Sequence, residues 1–190
     1  MVVIAVLAGL GWWVAKGMFN LPGVTVPDQG RDHLTREELE KVTYNSNPPT
    51  SGSHDPDWIR PGVYDTPQDK YKLIHSLEHG YVVVHYNCTK VTSNQYSVIS
   101  ASAHEDEGDL DGDSTPSAVF KADCSLAQVL VDWDKKIGLK RIIVNPNPEL
   151  DKPVVLVAWG RILQMDKWNE TEAVKFAKAY HNKGPEQTME

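Results

Sequence analysis

Gln68 to Tyr86 reads QDKYKLIHSLEHGYVVVHY, and it holds a helix, a stop and a strand in one short stretch. Gln68 to His79 has the composition of a helix, which Gly80 ends because glycine readily takes the left-handed turn at a helix C-terminus. Tyr81 to Tyr86 is β-branched, aromatic and short, the signature of a buried strand. On the helix, His75 and His79 are four residues apart, so both imidazoles leave one face.

Working outward, Thr35 opens TREELEKV, where Thr35 and Glu38 have capping-box spacing. Between Tyr44 and Pro67 lie five of the twelve prolines, with many Ser, Gly and Asp, and a long loop of this kind is often functional. Thr92 to Ala101 reads as a strand or a helix, and His104 to Thr115 as an acidic loop. Ser125 is the expected N-cap of an amphipathic helix, SLAQVLVDWDKK, with Leu126, Val129, Leu130 and Trp133 on one face. Lys140 to Asn145 and Val154 to Met165 read as strands joined by the turn Asn145 to Pro153. Thr171 to His181 is a last helix, ended by Gly184-Pro185. The sequence predicts an α+β fold, a small mixed sheet with helices packed on one side.

Residues 1–19 form a separate segment. Met1 to Val14 is MVVIAVLAGLGWWV, with no charge before Lys16. A helix to Phe19 would span about 28 Å, close to the ~30 Å of a bilayer core. Trp12 and Trp13 suit the headgroup belt, and Lys16 can snorkel to it. A basic region ahead of the run and a small-x-small cleavage site, the marks of a signal peptide, are lacking. The glutamate near the start of a type IV pilin helix is lacking too. The reading is a transmembrane anchor over 1–19, a Pro- and Gly-rich linker over 20–34, and an extracytoplasmic domain over 35–190.

The 190 residues suit one domain. A formal charge of −7, with no basic run, argues against nucleic acid as a partner. Cys88 and Cys124 are expected to form one disulfide if the domain lies in an oxidising compartment, with two separate buried thiols as the alternative.

The candidate chemistry is a metal site. His75 and His79 share a helix face, and His54, in SGSH, can fold over them from the proline-rich loop. Three neutral imidazoles suit copper or zinc better than magnesium or calcium. Glu78 is expected to point away from the His75/His79 midline, His85 to face a half-polar surface, and His33, His104 and His181 to be solvated. The order HSLEH is not HExxH, so the base of a zincin is misplaced. HxxEH as in inverzincins would need a further carboxylate and a larger body. DLDGDS (109–114) fails as a calcium loop, with Phe120 where the bidentate glutamate belongs. Asn87-Cys88-Thr89 and Asn169-Glu170-Thr171 match glycosylation sequons. A nucleophile–base pair, phosphate loop or dinucleotide fingerprint is lacking, so no enzyme is expected.

PPTSGSH (48–54), GVYDTP (62–67), HSLEHGYVVVHY (75–86), NPNP (145–148), VAWGR (157–161) and KGPE (183–186) stand in order along the chain. In these landmarks the chain resembles the bacterial domain of unknown function 3105 family, over about Tyr44 to Glu186. The acidic loop and the cysteine pair are not among them. The resemblance implies a membrane-anchored or secreted domain, carries no established activity, and associates the chain with copper-handling proteins. Two functions are expected. One is an accessory subunit of a larger membrane complex, respiratory or photosynthetic, that meets lipid and partner subunits through its N-terminal helix. The other is a stand-alone periplasmic copper- or zinc-binding protein with His54, His75 and His79 as ligands.

Overall fold

The computed structural model describes residues 21–91 and 124–186. The elements are β1 (Val24–Thr25), α1 (Arg36–Leu39), β2 (Gly62–Val63), α2 (Lys70–Glu78), β3 (Val82–Tyr86), α3 (Ser125–Ile137), β4 (Ile142–Pro146), β5 (Val154–Ala158), β6 (Arg161–Met165) and α4 (Glu170–Tyr180). The anchor residues Trp12, Trp13 and Lys16, the segment 92–101 and the acidic loop lie outside the described residues. No helix among the described residues is long and apolar enough to cross a membrane.

One mixed sheet of six strands runs in the order β1-β6-β5-β3-β4-β2. β3 is parallel to β4, with Val82 opposite Ile142 and His85 opposite Asn145, and β2 is parallel to β4 on its other side. β5 and β6 form a hairpin, and β5 runs antiparallel to β3.

All five residues of β3 are buried. A strand reads as a continuous apolar run when both its faces are covered, and both are. Val82, Val84 and Tyr86 pack with Leu126, Leu130 and Trp133 of α3 and with Ala173, Phe176 and Ala177 of α4. On the opposite face Val83 packs with Leu73 and Leu77 of α2. The helices therefore cover both faces, not one as the sequence suggested, and the domain is a three-layer α/β/α sandwich. The mixed α+β content is as expected.

Local chemistry explains the boundaries. At α1, Thr35 N and Oγ1 both donate to the Glu38 carboxylate, at 2.9 and 2.7 Å. Asp69 caps α2 by accepting from Tyr71 N, and Asn169 caps α4 by accepting from Glu172 N. The expected N-cap Ser125 is instead the first residue of α3, and Cys124 holds the cap position. Cys124 is fixed there by its disulfide to Cys88. Val154 to Met165 is two strands, because Trp159 and Gly160 turn the chain between them.

The stretch read as a linker is part of the body. Val24 pairs with Ile162, Tyr180 Oη donates to Pro22 O, and Trp159 Nε1 donates to Asp28. Its prolines and glycines bend the chain along the sheet edge instead of leaving it loose. The first sequon is a structural feature as well. Asn87 is buried, and its amide donates to the Pro148 and Leu150 carbonyls, which ties β3 to the turn before β5.

Candidate metal centre

Four segments converge at the C-terminal end of α2. The helix supplies His75 and Glu78, with His79 at its C-cap. Gly80, at φ +80°, turns the chain into β3, and Arg141 donates to the carbonyl of His79 at 2.6 Å. That carbonyl sits at the negative end of the helix, where a cation is favoured.

The proline-rich loop supplies His54. It is clamped by Tyr44 Oη donating to Ser53 O at 2.6 Å and by Gln29 N donating to Ser51 Oγ. The segment before α1 lies along this loop: Gly52 N donates to Gly30 O, His54 N to Asp32 O and Leu34 N to His54 O. That ladder brings His33 beside His54, with ring centroids 4.8 Å apart.

The fourth segment follows α4. Asn182 N donates to Gly80 O and Glu186 N to Glu78 O. The approach is so close that a Cβ on Gly184 would lie 1.9 Å from Glu78 O, so only glycine fits. This contact places the Glu186 carboxylate 3.7 Å from His79 Nε2.

Two donor groups result. His33, His54, His75 and Glu78 form one, and His75, His79 and Glu186 the other, with the ligand atoms of each within 4.8 Å of one another. Helix geometry explains the sharing of His75. At about 100° per residue, Glu78 lies about 60° to one side of His75 and His79 about 40° to the other. Glu78 thus turns into the site, contrary to the expectation that it points away, because a residue three positions on shares the face too.

The hydrogen bonds fix which nitrogens are available. His54 Nδ1 donates to Gly52 O at 2.7 Å and His75 Nδ1 to Asp55 O at 2.8 Å. Backbone carbonyls only accept, so each ring carries its proton on Nδ1 and a neutral ring offers its Nε2 lone pair. An outer-shell carbonyl orients metal-binding histidines in this way. The His54 lone pair meets another acceptor, with His54 Nε2 2.9 Å from Glu78 Oε2, whereas the His75 lone pair points at His79 Nε2, 3.0 Å away, which can donate to it when His79 carries its proton there. Burial, together with the neighbouring His54 and His33, holds His75 below the ordinary histidine range, against the raising effect of the Asp55 carbonyl and Glu78.

His54, His75, Glu78 and His79 are buried, whereas the side chain of His33 is 45% exposed. Arg31 approaches the outer oxygen of Glu78 at 3.8 Å. Trp58 lies against His75 and His79, with centroids 5.7 and 5.2 Å away, and Trp159 faces His54.

The structure therefore brings His54, His75 and His79 together and adds His33, Glu78 and Glu186. His33 is exposed, in keeping with the expectation that it is solvated, yet its ring reaches the cluster. Its position depends on the pairing of residues 30–34 with the SGSH loop, which no local pattern encodes. His85 lies elsewhere. It is buried beneath α2 and not half-polar, and burial pushes its pKa down to about 3. His181 is half-buried rather than solvated, and burial with the nearby Arg141 lowers its pKa. His104 lies outside the described residues.

Fold and site define a class: a three-layer α/β/α domain whose histidine and glutamate side chains can hold a metal ion. The chain belongs to the family described as Protein of unknown function (DUF3105), whose model matches residues 35–190. No curated protein and no solved structure matches it. Both β1 and His33 precede the matched region.

Proposed function

We propose that this domain binds a transition-metal ion, copper or zinc, at the C-terminal end of α2, with His54, His75 and Glu78 as the inner ligands. One observation carries the reading. The Nδ1 protons of His54 and His75 are committed to carbonyls, so the His54 Nε2 lone pair faces the Glu78 carboxylate at 2.9 Å, and the His75 Nε2 lone pair points at His79 Nε2, 3.0 Å away. The His54–Glu78 pair needs a cation between its two acceptors, a proton or a metal ion. Donors about 2.0–2.1 Å from a shared ion stand about 2.9–3.4 Å apart, so the spacing suits a metal. Imidazole with one carboxylate favours zinc or copper over calcium or magnesium. His33, His79 and Glu186 complete the coordination from either side.

The domain works outside the cytoplasm, held to a membrane by residues 1–19, as an accessory subunit of a larger membrane complex. The hydropathy of that run and the Cys88–Cys124 disulfide support this reading, because disulfides persist in oxidising compartments. Metal analysis of the purified full chain after copper or zinc loading tests the metal. About one equivalent is expected in the wild type and almost none in His75→Ala. A wild type that retains neither metal after desalting overturns it. Purification in mild detergent tests the assembly, and a chain that runs alone as a monomer counts against the accessory role.

A further inference from the structure

The opposite end of α2 holds a cavity of about 530 Å³, bounded by α2, the sheet and the NPNP loop. It opens at the carboxyl ends of the parallel strands β2, β4 and β3, where open α/β sheets tend to take their ligands. Its inner surface carries Leu73, Leu77, Val83 and Val157, and among these apolar groups stand His85 and Asn145; the buried Tyr71 also lines it.

The hydrogen bonds of that pair settle its chemistry. Gln68 N donates to Asn145 Oδ1 at 2.8 Å, which assigns the amide. Asn145 Nδ2, 3.2 Å from His85 Nδ1, is then the donor and Nδ1 the acceptor. A neutral ring that accepts at Nδ1 carries its proton on Nε2. Nε2–H makes no hydrogen bond to any described residue, although His85 is only 4% exposed. The inner wall thus presents an oriented imidazole N–H donor among apolar side chains. It bears no formal charge, since burial keeps His85 neutral. Arg36, Lys70, Glu40, Asp69 and Glu149 also line the cavity, the two bases offset by three acids. Arg36 is further occupied by its ion pair with Asp69.

We infer that this cavity is a second binding site, for a small uncharged carbonyl compound such as an amide or ketone, whose oxygen accepts from His85 Nε2–H while its apolar body lies against the leucine and valine wall. A carboxylate is disfavoured there because burying an ion without a counter-charge is expensive. The inference is independent of the metal reading, since no inner-wall residue is a proposed metal ligand.

The test is histidine side-chain NMR of the full chain, titrated with benzamide, 2-pyrrolidinone and benzoate. A saturable shift of the His85 Nε2–H resonance with benzamide or 2-pyrrolidinone is expected, with benzoate at least tenfold weaker. Backbone amide shifts of Leu73 and Val83, saturable with the neutral probes in the wild type, should be lost in His85→Phe while its circular dichroism stays that of the wild type. Neither neutral probe shifting His85 up to its solubility limit overturns the site, because the cavity then takes water only. Benzoate binding as tightly as benzamide overturns the uncharged class.

Discussion

The two ends of α2 treat buried histidine in opposite ways. At the C-terminal end His33, His54, His75 and His79 crowd together with Glu78, and the His54 lone pair faces a carboxylate. Under the N-terminal half His85 stands alone among valines and leucines, its one ring partner a neutral amide. Both settings are buried, so burial is not what marks a metal centre. The mark is the number of potential ligand atoms brought together, with a carboxylate facing an imidazole lone pair. A lone histidine answers desolvation by staying neutral and taking one hydrogen bond. A carboxylate facing an imidazole lone pair needs a cation.

Substitutions can break this contrast. The largest effect is expected from His75→Ala, which removes the donor common to both groups. Copper or zinc affinity by calorimetry should fall on the order of a thousandfold, beyond the roughly 10–100-fold typical of outer-shell partners. His85→Phe should leave metal affinity unchanged, and an equal loss in both variants would dissolve the distinction.

Acid unfolding probes the other end. His85 has an unfolded-state pKa near 6.5 and a folded-state value of about 3. The folded state binds fewer protons, so stability is full above about pH 6.5 and is lost as pH falls toward about 3. The loss attributable to this residue is roughly 4 kcal/mol. Denaturant titrations across that window should show a shallower decline in His85→Phe. His75 shares the direction of shift. Protons should therefore compete with the metal for His75 at lower pH than for a free imidazole, which a metal-competition titration can follow.

A smaller effect is expected from Asn145→Ala. It strands His85 Nδ1 and Gln68 N, for a loss of about 1–3 kcal/mol in chemical denaturation. Metal affinity should not change. The smallest is His33→Ala. Its ring is half exposed and sits 3.8 Å from the Glu78 carboxylate, so a loss of about tenfold or less in affinity is expected. A loss equal to that of His75→Ala would make His33 an inner ligand.

Much of this was legible in the sequence, and the reasons are local. The β-branched run before His85 announced a buried strand. Thr35 with Glu38 announced a helix start, and the four-residue spacing of His75 and His79 announced a shared face. Three features were not legible for one common reason: they depend on partners far along the chain. His33 is placed by pairing with the SGSH loop. Glu186 is placed by the approach of Gly184 to α2. The second helical layer follows from which face each crossover takes, and hydrophobic periodicity is indifferent to that. Glu78 is different. Its inward turn was available from helical angles, because the third residue along a helix shares the face nearly as well as the fourth.

The Gly184 contact has a mechanical consequence. The cluster draws His33 from ahead of α1 and Glu186 from beyond α4, so both ends of the folded domain are fastened at one point. It acts as a clasp. A pull on the N-terminal side must first peel the two residues of β1 from β6 and then strip residues 30–34 from the SGSH loop. That order removes His33 while α2 and its two histidines stay seated. Tension on the chain would thus loosen the grip on an ion while the five strands from β6 to β2 are still paired.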